Sequence, residues 1–129
     1  ALSQMDANAA RVAQMHTTRM LQNSRHELVQ AYLSSHAAEK AYRTAVDEQQ
    51  VEPQNPEALH DVAVSGADLG DELLARVDRA GAAERYRESL RATESAAARE
   101  GPNPSEKTRA ELTAARRRLA NAEQRGARD

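Results

Sequence analysis

The chain contains no cysteine, phenylalanine, tryptophan or isoleucine. Without cysteine there is no disulfide framework, no thiol nucleophile and no thiolate metal site. The only aromatics are Tyr32, Tyr42 and Tyr86, so nothing is placed to stack on nucleic-acid bases. β-Branched and aromatic residues are scarce while Ala, Glu, Gln and Arg abound, which disfavours strands. No apolar run approaches the ~18 residues of a membrane span, and no charged-then-apolar leader pattern opens the chain. The formal net charge of -2 lacks the basic excess of a nucleic-acid binder. No glycine-rich phosphate loop, serine-nucleophile elbow or paired-carboxylate cleft can be assembled. The expectation is a protein that is not an enzyme, with no cofactor, no metal and no nucleic-acid partner.

What is present is helix-forming sequence. The apolar content is 40%, about half of it alanine, so the core must form by close approach of helices rather than around large side chains. A chain of 129 residues is expected to form one domain. It opens on Ala1 rather than Met, and is expected to be part of a longer protein.

From Leu2 to Val51 there is neither glycine nor proline. One helix over this stretch would be roughly 70 Å long, more than the rest of the chain can cover. Its pattern divides. From Leu21 a seam runs through Leu28, Ser35 and Tyr42, with Ala31, Ala38 and Ala45 between, Tyr32 and Val46 flanking and Val29 and Leu33 widening it. Met5, Val12 and Met15 keep a seven-residue spacing that slips near Arg19 and Met20, which places a soft boundary at Asn23–His26. Residues 1–27 are therefore read as an N-terminal arm, with Met5, Val12, Met15 and Met20 as its partner-docking residues, and 28–126 as the bundle.

Punctuation then sets the remaining helices. Pro53 stops the first, and Asn55 caps the second with Pro56 at its first position. Ser65-Gly66 and Gly70-Asp71 predict either a kink or split there, or the close approach of a neighbour. Gly81 reads as a tight turn or a tolerated interior glycine. After Gly101-Pro102, Asn103 is the expected cap of the last helix, with Pro104 at its first position and Glu106 at its third. The fold class is an all-α, elongated up-down four-helix bundle with a long first helix extended at its N-terminus. In that topology the Val51–Asn55 and Gly101–Pro104 loops share one tip.

Candidate sites are few. Glu57-x-x-His60 has the spacing of a bundle di-iron pair, but no second copy accompanies it. His16, His26 and His36 recur every ten residues, ~80° apart in turn, and read as surface histidines. Arg116–Arg118 fits a solvated face beside Ala115 and Leu119. The shared tip is the better candidate. Val51 is an apolar residue stranded beside a proline-rich loop, and Lys40, Arg43, Arg99, Lys107 and Arg109 lie within about three turns of the loops. Each cation near an anionic leaflet is worth ~1 kcal/mol. Asp47, Glu48, Glu52, Glu57, Glu100 and Glu106 crowd the same tip.

The opening Ala-Leu-Ser-Gln-Met-Asp-Ala-Asn-Ala-Ala-Arg-Val-Ala-Gln-Met-His and the segment Asp47-Glu48-Gln49-Gln50-Val51-Glu52-Pro53 resemble the N-terminal lipid-raft-targeting domain of the BteA-type cytotoxic type III secretion effectors of Bordetella. These domains are similar to the four-helix membrane-localisation bundles of large bacterial toxins. The resemblance covers the whole chain and rests on general character rather than a diagnostic motif. It implies a secreted virulence effector directed to the host plasma membrane, on its cytosolic face and in lipid rafts. It implies binding of anionic phospholipids (phosphoinositides and phosphatidylserine) at a tip formed by Val51, Lys40, Arg43, Arg99, Lys107 and Arg109. It also implies docking of a cognate secretion chaperone on the N-terminal segment. The competing expectation is a structural helical module that oligomerises through the arm as a homodimer or domain swap.

Overall fold

The computed structural model describes residues 2–128 and, for side chains, residues 6–17 and 19–124. Over the described residues it is an all-α bundle of five helices: α1 Leu2–Ser34, α2 Ala38–Val51, α3 Pro56–Ala75, α4 Arg79–Glu100 and α5 Glu106–Arg128. Consecutive helices pack on one another, and α1 also touches α3.

The expected unbroken first helix is two helices. The chain reverses at Ser35–Ala37 through a turn in which the N–H of Ala37 donates to Tyr32 O at 2.8 Å and that of His36 to Leu33 O at 3.2 Å. His36 takes φ 60°. These are the paired bonds of a Schellman motif, built without its usual glycine. The physical reason for the reversal is tertiary. Folding α2 back on α1 buries Val29 of α1 together with Ala38, Ala41, Tyr42 and Ala45 of α2, which a straight rod would leave in water.

The same device recurs after α3. The N–H of Asp78 donates to Leu73 O at 2.9 Å and that of Val77 to Leu74 O at 3.0 Å, with Val77 at φ 63°. The helix therefore passes unbroken through Ser65-Gly66 and Gly70-Asp71, and Gly81 lies inside α4, where its N–H donates to the Asp78 cap at 3.0 Å. The glycines act by close approach. A Cβ on Gly70 would collide with the ring of Tyr86, and one on Gly66 would meet Arg85 O and Ser89 Cβ at 3.4 Å.

Two caps were open to inspection from sequence. Asn55 caps α3 as expected, its Oδ1 accepting from the N–H of Glu57 at 2.9 Å, with Pro56 opening the helix. The cap of α5 falls on Ser105 rather than Asn103. Ser105 Oγ accepts from the N–H of Thr108 at 3.2 Å, and Glu100 Oε1, from the end of α4, accepts the N–H of Ser105 at 3.1 Å.

The main core joins Val29, Ala38, Ala41, Tyr42, Ala45, Leu59, Val62, Leu69 and Ala92, and a smaller cluster joins Ala82, Ala83, Tyr86 and Ala122. The buried stripe of α1 is thus not the expected seam. Leu21 is 50% and Leu28 43% exposed, and Ala31 and Ser35 face solvent, while Gln22 and Val29 are buried. The seam sits one residue further along, about 100° around the helix. The packed part of α1 starts at Gln22, ahead of the expected boundary at residue 28.

Because α2 reverses on α1 and α3 reverses on α2, α1 runs in the same direction as α3. Its first half consequently projects past the α2–α3 loop. Arg11, Gln14, Met15, Arg19 and Glu52 line a surface recess of about 400 Å³ there.

Candidate functional site

The loop end of the bundle gathers most of the residues expected at a tip. Val51 closes α2 and is 48% exposed. The α2–α3 connection follows it, and α4 returns alongside α3, Ser89 Oγ donating to Ala63 O at 2.6 Å. This antiparallel pairing brings the α4–α5 connection to the same end. Arg99 lies in the last turn of α4, and Lys107 and Arg109 open α5, all three exposed. Acids share the end. Glu52 accepts from Asn55 Nδ2 at 2.5 Å, and Glu100 is tied to Ser105 and Thr108, bonds that hold its carboxyl below the ordinary value.

Lys40 and Arg43 are not at this end. They occupy the first turns of α2, beside the Ser35–Ala37 turn, with Lys40 roughly 16 Å along the helix from Val51. Arg43 Nη2 is 2.6 Å from Glu39 Oε1. It lies on the rim of a side recess of about 580 Å³ with Tyr42, Arg85 and Arg91, where the Arg85 guanidinium sits 5.0 Å from the centre of the Tyr42 ring.

The arm is open to solvent. Every described side chain from Asp6 to Leu21 is exposed, with Val12 at 65%, Met15 at 62% and Met20 at 57%. Met5 lies outside the described side chains. On a helical projection Met15 continues the face that carries Gln22, Val29 and Leu33 into the bundle. The packing stripe therefore extends past the point where its intramolecular cover ends.

A polar layer between α1, α2 and α3 was not anticipated. Asp61 and Glu48 are 0% and 2% exposed, and Gln22 is buried beside them. His26, expected at the surface, is half-buried with both ring nitrogens engaged: Nδ1 lies 2.7 Å from Asp61 Oδ2, and Nε2 lies 2.9 Å from Glu57 Oε1. Gln30 Nε2 donates to Asp61 Oδ1 at 3.3 Å, and Gln22 Nε2 donates to Glu48 O at 3.2 Å. Glu48 Oε1 has no hydrogen-bond partner. Glu57 is thus committed to His26, and His60 is exposed, so the Glu57-x-x-His60 spacing is not used as a pair.

The electrostatics follow from burial. Burial opposes charge on His26, but the hydrogen bond and charge of Asp61, followed by the charges of Glu57 and Glu27, outweigh it and raise its pKa above 6.5. Burial, then the Asp61 carboxyl, then Glu57 push Glu48 up to about 8 against a weaker pull from Arg25. The layer holds protons. With both nitrogens of His26 taken by carboxylates, it offers no free base to a nucleophile.

A sequence signal for this layer did exist. Gln22, His26 and Gln30 repeat every four residues on α1, and Glu57, Asp61 and Ser65 do so on α3. Each set makes a polar stripe along one helix face. The histidines do not line up with one another, whereas the two stripes meet through His26, Gln30 and Asp61.

No protein-family model, curated protein or solved structure matches this chain. Among the described residues, no helix is long and apolar enough to cross a membrane.

Proposed function

We propose that this chain is a non-catalytic targeting module. It docks a protein partner on the projecting half of α1 and anionic phospholipid headgroups on the loop end of the bundle. The carrying observation is that the uncovered apolar stripe with Val12 and Met15 and the exposed Val51 with its neighbouring cations occupy one pole of the molecule. The resemblance to type III effector targeting domains supplies the identities: a secretion chaperone for the arm, and phosphoinositide or phosphatidylserine at the host plasma membrane for the tip.

Vesicle co-sedimentation tests the lipid half. Lys107→Glu with Arg109→Glu is expected to weaken binding to phosphatidylserine vesicles by at least tenfold, since each lost cation is worth ~1 kcal/mol. Val51→Asn should weaken it further. Lys40→Glu with Arg43→Glu should leave it nearly unchanged, because those residues sit away from the loops. Equal binding by all variants would sink the tip assignment.

The second reading is an oligomerisation module without lipid binding, favoured by the exposure of Val12, Met15 and Met20. Sedimentation of a Val12→Asp, Met15→Asp chain separates the two. Loss of self-association with no vesicle binding at any stage supports the second reading.

A further inference from the structure

We infer that His26, Glu48 and Asp61 form a binding site for one divalent transition-metal ion, zinc being the natural occupant, which clamps α1, α2 and α3 together at the root of the arm. Each residue offers one ligand atom, and the three atoms lie within 4.8 Å of one another. A common centre can reach all three with small side-chain shifts, given Zn–N and Zn–O bonds of about 2.0–2.2 Å.

The strongest indication is Glu48. Its Oε1 is buried and without a partner, in a residue only 2% exposed. A buried carboxyl oxygen left unpaired is costly in free energy, and a cation shared with Asp61 and His26 satisfies it. The surrounding bonds are those a metal site needs. Glu57 Oε1 stands 2.9 Å from His26 Nε2, the carboxylate–histidine arrangement that fixes the ring and turns Nδ1 toward Asp61 Oδ2, 2.7 Å away, where an ion would replace that direct contact. Gln30 Nε2 holds the second oxygen of Asp61 at 3.3 Å. One imidazole with two carboxylates suits zinc, whereas an all-oxygen set would suit magnesium or calcium. The ligands come from three different helices, so the ion would fix tertiary structure rather than shape a loop. The side of His26 and the exposed Glu57 give it a path from solvent.

The test uses the full chain stripped with EDTA and titrated with zinc chloride, followed by calorimetry for stoichiometry and by thermal melting. One zinc per chain is expected. The melting midpoint should rise by roughly 10 °C at a hundredfold excess over Kd. Glu48→Gln keeps the shape and removes the ligand charge. It is expected to fold and to bind zinc at least a hundredfold more weakly, and Asp61→Asn should behave likewise. Glu57→Gln, which touches only the far ring nitrogen, should weaken binding about tenfold. His60→Gln, on the exposed face, should bind as the parent chain does. Absence of one-to-one binding, or affinity unchanged by Glu48→Gln, would overturn the site. Loss of binding on His60→Gln would also overturn it by moving the zinc to the surface.

Discussion

Val77 is a β-branched residue at φ 63°, 71% exposed, in a turn whose usual occupant is glycine. The left-handed conformation costs an L-residue about 1–2 kcal/mol, whereas glycine adopts it freely and loses about 0.5–1 kcal/mol through the entropy of the unfolded chain. Val77→Gly is therefore expected to stabilise the protein by about 1 kcal/mol, read as a higher urea midpoint at unchanged slope. Glu48 sets a second expectation at the scale of one side chain. Its folded pKa of about 8 exceeds its ordinary value of 4.5, so the native state binds more protons than the unfolded state between those values, and stability falls as pH rises. The contribution is complete below about 4.5 and is lost as pH rises through about 8; His26, raised above 6.5, adds a loss of the same sign. With metal removed, Glu48→Gln should flatten the decline of melting midpoint over that window, and a parent chain whose midpoint rises there would refute the assignment.

At the scale of helices, most of the fold was legible. Proline at 53, 56, 102 and 104 marked both loops of the shared end, and Asn55 announced α3. The reversal at Ser35–Ala37 was missed, and the one expected at Gly81 falls a few residues earlier, at Arg76–Asp78; both lack glycine and proline. His36 carries no local signal, because the energy that selects its turn lies in the packing of Val29, Tyr42 and Leu59; Val77 carries only that of the Asp78 cap beside it, and its turn packs Leu73 and Leu74 against Ala82, Ala83 and Tyr86. The α1 seam was misjudged for a related reason. Leu28 is larger than its neighbour Val29 and draws a hydrophobic stripe toward itself, yet the inner face had to carry Gln22 and His26 to the carboxylates of α2 and α3. That face placed Val29 inside and Leu28 out. Val29→Ala should accordingly cost about 2 kcal/mol and Leu28→Ala a few tenths, both from denaturant unfolding. Of the candidate site, the loop-end cations Arg99, Lys107 and Arg109 were legible from topology alone. Lys40 and Arg43 keep their separation of about three turns from Val51, which in a helix of 14 residues puts them at the opposite end of α2. The His26 layer needed two stripes on different helices to be compared, which no single window of sequence contains.

For the molecule as a whole, the turn at Ser35–Ala37 has a consequence for assembly. Locally, residues 2–51 favour one continuous rod; globally, the core favours a hairpin, and His36 at φ 60° with Ala37 at φ -99° and ψ 65° separates the two in backbone conformation. Bringing both residues into the right-handed helical region would complete the rod. It would also carry α2 away from its own α1 and leave both free to pair with the matching helices of a second molecule. In that case concentration would choose the partner, the same interface closing within one chain or between two. Refolding at millimolar rather than micromolar protein should yield a dimer that dilutes back slowly, resolved by analytical ultracentrifugation. His36→Gly, which lowers the cost of the turn, should shift that population to monomer, and His36→Ala should shift it to dimer. In such a dimer the two arms would leave from opposite ends of a doubled bundle, turning a one-handed docking module into a bridge.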